Sequence, residues 1–268
     1  MSVVIVTGGT FGIGKAITIE LAKRGHKVVA FGLDARQHTS IAENGTALVR
    51  AEAEKEKLAV DALEADVSQA ADVQRIVDFT REKHGRIDAL VNNAAIGPLG
   101  TILDTSEELW DRVIEVNLKG YYLTCKAVLP HMIAQGGGSI VNVGSGAGWG
   151  KPNMFAYATS KGGIFALSAA LAYDHFHQHI RVNTVVPGGG GLGTGMSKGR
   201  AQTGLQMFTP GGYTGSVSGR TGTPEDIAYT VCFLLSPEAD IISGAIFDVG
   251  CFAHQGGPIP PRPKVEVS

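Results

Sequence analysis

Residues 6–15 of the chain read VTGGTFGIGK. This stretch follows the apolar run Val3 to Val6 and leads into the amphipathic segment GKAITIELAKRG, so a glycine-rich turn joins a predicted strand to a predicted helix. Glycines let the backbone approach a phosphate closely, and the helix N-terminus offers free N–H groups and a partial positive charge. The stretch therefore predicts a pyrophosphate site, with a turn that binds no ligand as the alternative.

Outward from this turn, short β-branched runs alternate with helical segments, the longest of which spans 106–136. This alternation predicts βαβ units and an α/β fold: a Rossmann-like, doubly wound parallel sheet with helices on both faces. The chain has 268 residues, 44% of them apolar, which suits one domain over 1–254. Two regions depart from the pattern: a glycine-rich stretch, 188–222, and a proline-rich tail, 255–268.

The composition argues against nucleic-acid binding, metal binding and membrane association. The formal net charge is −2 with both signs mixed along the chain, which argues against nucleic acid as a partner. The cysteines, Cys125, Cys232 and Cys251, have no metal-ligand spacing, so we predict reduced thiols, no metal site and a cytoplasmic location. No apolar run approaches the ~20 residues of a membrane span, and we expect no membrane partner.

Further motifs follow the glycine turn in a fixed order. Asp66 and Val67 end the third predicted strand, and Asn92 to Ala95 read NNAA at the end of the fourth. Asn117 lies in VNLKG, and Tyr157 and Lys161 form Y-x-x-x-K. This series resembles the short-chain dehydrogenase/reductase family over residues 2–250. The resemblance implies an NAD(P)-dependent oxidoreductase that acts on CH–OH groups.

Tyr157 and Lys161 are four residues apart and share one face of a helix. A free tyrosine, with a pKa near ~10, is a poor base, and a nearby ammonium favours the phenolate. The resemblance implies that Tyr157 exchanges the proton of the alcohol and that Lys161 also holds the nicotinamide ribose. It further implies that Ser145 bonds the substrate oxygen and that Asn117 supports a water chain behind Lys161.

The serine is one residue nearer to Tyr157 than is usual in the family. Strict counting reaches Gly144, which has no side chain to offer. Ser145 is the hydroxyl nearest the strand end, so we interpret the following loop as one residue shorter, since loops tolerate deletions.

The family pattern also predicts the residues that hold the cofactor. Gly32 takes the usual acidic place after the second strand; Asp34 either reaches the adenosine ribose or is a turn or helix-cap residue. Phe11 stands where many NADP-using members carry Lys or Arg, which favours NAD, although Arg36 leaves NADP open. The predicted cofactor residues are Thr7, Gly8, Thr10, Phe11, Gly12, Ile13, Gly14, Leu33, Asp34, Asp66, Val67, Asn93, Ala94, Ala95, Tyr157, Lys161, Pro187, Gly188 and Thr194.

The substrate is predicted to be a small polar secondary alcohol or ketone, such as a sugar, polyol or hydroxy acid. Five residues are predicted to line its pocket: Ser145, Trp149, Lys151, Met154 and Tyr157. Two alternatives stay open: an NAD-binding or sensing protein without turnover, and an NAD-dependent epimerase or dehydratase, which usually has a longer chain. The resemblance also implies a homo-oligomer, a tetramer built through long helices and the last strand.

A second glycine run, Gly188 to Gly193, matches G-x-G-x-x-G strictly. No predicted helix begins at its end, so we interpret the match as chance and leave the pyrophosphate at Gly8 to Gly14. Thr194 lies two residues farther from Pro187 than in the family pattern. We therefore predict a hinge here that leads into a flexible substrate lid over 188–222.

Overall fold

The computed structural model describes residues 1–34, 44–188, 220 and 222–250. Over these residues it confirms the doubly wound parallel sheet, with strand order β3-β2-β1-β4-β5-β6-β7 and every neighbouring pair parallel. The strands are β1 Val3–Thr7, β2 Lys27–Gly32, β3 Val60–Glu64, β4 Ala89–Asn92, β5 Gly138–Val143, β6 Ile180–Val186 and β7 Ile246–Asp248. The order reverses direction between β1 and β4, where α/β sheets open a ligand crevice at the carboxyl ends of the strands.

Helices cover both faces of the sheet. They are α1 Gly12–Lys23, α2 Gly45–Glu56, α3 Ala70–His84, α4 Glu107–Ile114, α5 Gly120–Ala134, α6 Phe155–Asp174 and α7 Pro224–Leu235. A 3-10 turn, Gly146–Trp149, precedes α6. Helix α7 starts at a Thr cap with proline in first place, and Thr223 forms a capping box with Asp226.

The core lies in two layers, because successive strand residues point to opposite faces of the sheet. Ile5 and Leu90 pack with α3 and α5 on one face, whereas Val4 and Val91 pack with α1 and α7 on the other. Both layers are built mostly from buried aliphatic side chains, which fix the strand ends that carry the site.

The single helix expected over 106–136 is interrupted. A π-helical turn, Glu115–Lys119, separates α4 from α5 and contains Asn117. The extra residue of a π turn widens the helix locally, a feature common at functional sites. A regular apolar period does not reveal it, because the insertion leaves the helical pattern on either side intact.

Within the described ranges, no helix is long and apolar enough to cross a membrane. The predicted lid falls almost entirely outside the described residues, and so do the second glycine run beyond Gly188, the proline-rich tail and Cys251.

Candidate active site

The glycine turn is tied to the neighbouring strand β4 by side-chain hydrogen bonds. The Thr7 hydroxyl accepts from the backbone N–H groups of Asn93 and Ala94, both at 3.0 Å. The Asn93 amide in turn donates to the carbonyl oxygens of Thr7 and Gly8, at 3.2 and 3.0 Å. These bonds hold the two strand ends on either side of the crevice in a fixed relation. Gly8 has φ of +59°, a conformation that favours glycine.

The N-terminus of α1 fits a pyrophosphate. No side chain caps it, and its first turn contains no acidic residue, so the first N–H groups of this described helix stay available to an anion. A Cβ on Gly14 would overlap the Gly8 carbonyl oxygen and the Asn93 side-chain amide. The turn therefore closes tightly only around glycine.

We expect Gly14→Ala to open this turn. Because the obstructing atoms are mostly backbone, the variant should lose about 3 kcal/mol or more of unfolding free energy, or lose NADH binding. Chemical denaturation and NADH fluorescence titration measure the two effects. The neighbouring Lys15→Ala, which removes a surface ion pair with Glu52, is the control and should behave like wild type within about 1 kcal/mol. Wild-type stability together with wild-type NADH affinity in Gly14→Ala would contradict the assignment of this turn.

The end of β2 meets the glycine turn and the start of α2. A Cβ on Gly32 would lie 2.7 Å from the Thr10 hydroxyl oxygen, so any side chain at position 32 would displace that hydroxyl. Thr10 is 1% exposed, and its hydroxyl has no hydrogen-bond partner. Such an orphaned polar group fits a site that a polar ligand completes.

Asp34 lies between the end of β2 and the start of α2. One carboxylate oxygen accepts from the Thr46 N–H at 3.0 Å, in the first turn of α2, so the helix-terminus interpretation is realised. The ring of Phe11 packs against Gly45, where any Cβ would collide with it. Arg36 lies outside the described residues, and Leu33 is partly buried beside Asp34.

Asp66 is held as a charged group. Its side chain accepts from the backbone N–H and hydroxyl of Ser68, at 2.9 and 2.7 Å, and from Arg112 at 3.3 Å. Burial alone would raise the pKa of Asp66, but the bonds from Ser68 and the Arg112 guanidinium outweigh burial and hold the pKa below its usual value. Val67, next in the chain, is buried against Gly120.

Tyr157 and Lys161 are both buried on α6, with exposed fractions of 7% and 2%. The Lys161 ammonium lies 5.9 Å from the centre of the Tyr157 ring and donates to the Val143 carbonyl at 2.8 Å. It also donates to the Tyr121 hydroxyl at 3.3 Å. Burial lowers the pKa of Lys161 to about 7.

Asn117 joins the π turn to α6. Its side chain exchanges two hydrogen bonds of 2.8 Å with the backbone of Ile96, and it donates to the Ser160 hydroxyl at 3.0 Å. Ser160 in turn donates to the Tyr157 carbonyl at 2.7 Å. Asn117 thus fixes the helix turn that carries Tyr157 against the loop after β4.

Ser145 caps the 3-10 turn, its hydroxyl accepting from the Ala147 N–H at 3.2 Å. A Cβ on Gly144 would lie 2.9 Å from the Phe165 ring and from Thr184, so that position has no room for the serine. Ala147 and Met154 pack with Tyr157 in one small cluster, which brings the serine loop to the tyrosine.

The remaining predicted substrate residues lie in the same loop. Trp149 is 43% exposed, with its ring 4.6 Å from that of Phe165. Lys151 is partly exposed just beyond it. Pro187 and Gly188 follow β6 at the same edge of the sheet, whereas Thr194 lies outside the described residues.

Five contributing residues escaped sequence reasoning. They are Thr46, Ser68, Arg112, Tyr121 and Ser160, and most of their contacts join distant segments, although Ser68 meets Asp66 only two positions away. Ser160 offered a faint signal, since it lies between the Tyr and Lys of Y-x-x-x-K. The described residues contain no cluster of three or more His, Cys, Asp or Glu side chains that could hold a metal ion.

The strand order and the glycine turn together define a dinucleotide-binding α/β protein. Residues 2–204 match the short chain dehydrogenase family. The chain is 37% identical to 2-(S)-hydroxypropyl-CoM dehydrogenase 3 of Xanthobacter autotrophicus, over 92% of this chain and 94% of that protein. It is 36% identical to the 3-oxoacyl-[acyl-carrier-protein] reductase FabG of Thermotoga maritima, over 92% and 95%.

Solved structures agree with these relatives. A variant of the actinorhodin polyketide ketoreductase with NADPH aligns with a TM-score of 0.83 at 28% identity, over 94% of this chain and 97% of that one. The 3-ketoacyl-(acyl-carrier-protein) reductase of Brucella melitensis, complexed with NADH, aligns with a TM-score of 0.77 at 30% identity, over 94% and 98%. The chain belongs to the short-chain dehydrogenase/reductase family and is an NAD(P)-dependent oxidoreductase.

Proposed function

We propose that the protein transfers a hydride between NAD and a small polar secondary alcohol or ketone, such as a sugar, polyol or hydroxy acid. The observation that carries the proposal is the buried pair of Tyr157 and Lys161 beside the serine loop, at the crevice where the strand order reverses. A bound nicotinamide supplies the hydride acceptor or donor, and the chain supplies binding, orientation and proton transfer.

Each polar residue then has a role in alcohol oxidation. Ser145 donates a hydrogen bond that holds the substrate oxygen, and the Tyr157 phenolate takes the hydroxyl proton from that oxygen. The Lys161 ammonium favours the phenolate and holds the nicotinamide ribose. In the reverse direction Tyr157 returns the proton to the carbonyl oxygen. Asn117 keeps the helix turn of Tyr157 in register through Ser160.

Residues at the adenosine end complete the cofactor site in this proposal. The N-terminus of α1 and the turn from Gly8 to Gly14 hold the pyrophosphate. The Thr10 hydroxyl and Asp34 face the ribose, and Asp66 and Val67 border the adenine, with Ser68 and Arg112 fixing the Asp66 carboxylate. Asn93, Ala94 and Ala95 line the β4 side, and Pro187 and Gly188 border the nicotinamide; the family pattern adds Thr194, which lies outside the described residues.

We also propose that copies of the chain assemble through the exposed face of α7 and the edge strand β7. Tyr229 and Phe233 of α7 are 50% and 40% exposed, and Ile246 on the edge strand β7 is 44% exposed. An apolar helix face beside an open sheet edge favours a second copy of the chain, which would build the tetramer that the family resemblance implies.

NAD is favoured over NADP by the adenosine end. Phe11, packed against Gly45, contributes no positive charge, and the Asp34 carboxylate would repel a 2′-phosphate. We expect kcat/KM with NAD to exceed that with NADP by about tenfold or more, and Phe11→Arg to raise NADP use roughly tenfold. Phe11→Leu, which removes the ring without adding charge, is the control. A wild-type preference for NADP would reverse this part of the proposal.

The function itself is tested with a substrate panel. Wild-type protein with NAD is offered 2-propanol, glucose, sorbitol and lactate, and with NADH the matching carbonyl compounds, while absorbance of NADH is followed. We expect turnover in at least one class and none with Tyr157→Phe. Tight NADH binding without turnover of any compound would favour a cofactor-sensing protein, and isomerised product without net change in NADH would favour an epimerase.

A further inference from the structure

Behind Lys161 lies a second buried tyrosine that no motif contains. Tyr121 is on α5, one residue after its start, and is 0% exposed. Its hydroxyl donates to the Val143 carbonyl at 3.0 Å and accepts from the Lys161 ammonium at 3.3 Å. The same ammonium donates to the same carbonyl. The three groups therefore close a triangle at the end of β5.

The ammonium lies near two phenol rings. The centre of the Tyr121 ring is 5.3 Å from Lys161 Nζ, and the centre of the Tyr157 ring is 5.9 Å from it. Nothing in the sequence pattern requires a hydroxyl at position 121, because a phenylalanine would fill the same apolar space. The hydroxyl is placed where it satisfies one of the three Lys161 N–H donors inside the protein.

We propose that Tyr121 is a positioning residue for Lys161: its hydroxyl anchors the ammonium near Tyr157 and favours its charged form. This inference rests on the proposed roles of Tyr157 and Lys161. It adds a residue that touches neither the substrate nor the reacting atoms and acts only through the lysine.

The titratable surroundings make this anchor effective. Burial lowers the pKa of Lys161, and the rings of two titratable residues lie near its ammonium: Tyr157 on its own helix and Tyr121 on α5. Behind Tyr121 lies Cys125, whose pKa burial raises to about 12, so it remains a thiol. Burial likewise raises the pKa of Tyr121 itself, and the negative charge of an ionised Tyr157 raises it further. Tyr121 therefore remains a neutral phenol that can accept from the ammonium.

Removing the Tyr121 hydroxyl should raise the pKa of Tyr157. In Tyr121→Phe, the buried ammonium loses one acceptor, so its charged form becomes less favourable and Lys161 is protonated less often in the working range. Less positive charge then lies beside Tyr157, and its phenolate forms at higher pH. The Val143 carbonyl still accepts from Lys161, and the phenyl ring keeps the packing of α5.

The experiment is an ultraviolet titration of tyrosinate in the protein without added cofactor. The signal of Tyr157 is obtained by subtracting the titration of the same protein carrying Tyr157→Phe. We expect Tyr121→Phe to move the Tyr157 midpoint upward by about 0.5–1 pH unit. The acid limb of kcat/KM for the fastest alcohol of the panel should move in the same direction, while NADH affinity changes by less than about threefold.

The adjacent Tyr122 provides the matched control. It is 47% exposed on the same helix, and its hydroxyl also accepts from a lysine, Lys126, at 2.9 Å. Tyr122→Phe should leave the midpoint of Tyr157 in place. If Tyr121→Phe folds poorly, site-specific fluorotyrosine at position 121 keeps the hydroxyl but weakens it as an acceptor, and should give a smaller shift in the same direction.

The outcomes separate the two proposals. An unshifted midpoint in Tyr121→Phe, or in the fluorotyrosine protein where that is used, overturns the role of Tyr121 while Tyr157→Phe remains inactive. A uniform loss of turnover at every pH, with no shift, also overturns it, since that result indicates a structural role alone. Wild-type turnover in Tyr157→Phe instead overturns the proposed function itself.

Discussion

Tyr157→Phe is expected to abolish turnover while leaving a folded protein that binds NADH. The substitution removes only the hydroxyl that exchanges the substrate proton, and positioned acid–base groups contribute about 10²–10⁴-fold to rate. The ring keeps its packing against Ala147 and Met154. We therefore expect kcat to fall by at least about 10²-fold, with the NADH dissociation constant within several-fold of wild type and an unchanged thermal midpoint.

Tyr173 is the matched control for this prediction. It lies on the same helix, α6, and is 87% exposed, far from the buried face that carries Tyr157. Tyr173→Phe should retain wild-type kcat. Comparable turnover in Tyr157→Phe and Tyr173→Phe would show that the buried hydroxyl has no catalytic part.

Lys161→Met is expected to be inactive and more stable than wild type. Burial lowers the pKa of Lys161 from 10.5 to about 7, so near neutral pH the folded protein holds an unfavourable buried charge. Methionine fills a similar space without charge, and the Val143 carbonyl still accepts from Tyr121. In the absence of cofactor, the variant should gain about 1–4 kcal/mol of unfolding free energy at pH 7.

The gain in unfolding free energy should depend on pH, because the pKa of Lys161 is lower in the folded protein than in the unfolded chain. Between about pH 7 and pH 10.5 the unfolded lysine holds its proton while the folded one releases it. The stability of the wild type therefore rises with pH across this window, relative to the variant. The gain should be greatest at and below pH 7 and should shrink toward pH 10.5. Urea unfolding of both proteins at several pH values measures this difference.

Lys126→Met, at an exposed lysine on α5 that bonds Tyr122, is the control and should change stability little at any pH. A Lys161→Met protein that is less stable than wild type at pH 7 would refute the unfavourable burial of the Lys161 charge. Normal turnover in this variant would refute the catalytic role of Lys161.

The sequence predicted the parts of this molecule that depend on local pattern. Strand and helix periods, and the glycine turn between β1 and α1, were enough to predict the doubly wound sheet, since those signals lie within contiguous segments. The spacing of Tyr157 and Lys161 predicted that they share a helix face, and the structure places both on α6.

Most of the parts that escaped prediction depend on contacts between distant segments. Arg112 reaches Asp66 across 46 positions of the chain, and Tyr121 meets Lys161 across 40. In the sequence Tyr121 is one more apolar residue of a buried helix, and only the fold shows that its hydroxyl meets the lysine. The π turn at Asn117 was hidden because one inserted residue leaves the apolar period of its flanks unchanged.

Asp34 shows where a sequence pattern leaves two interpretations unresolved. Its position suggested either a ribose contact or a helix-terminus residue, and the Thr46 bond realises the second. The ribose contact remains part of the proposal, in which NAD preference depends on Asp34 and Phe11 together, and not on one acidic residue.

Transfer of an isotopic label tests whether this site transfers a hydride. Wild-type protein is incubated with a carbonyl compound of the panel and NADH deuterated at the transferring position of the nicotinamide, and the alcohol formed is analysed by mass spectrometry. We predict one deuterium at the carbinol carbon with wild type and no labelled alcohol with Tyr157→Phe. Unlabelled product from wild type, or no product despite bound NADH, would contradict hydride transfer by this site.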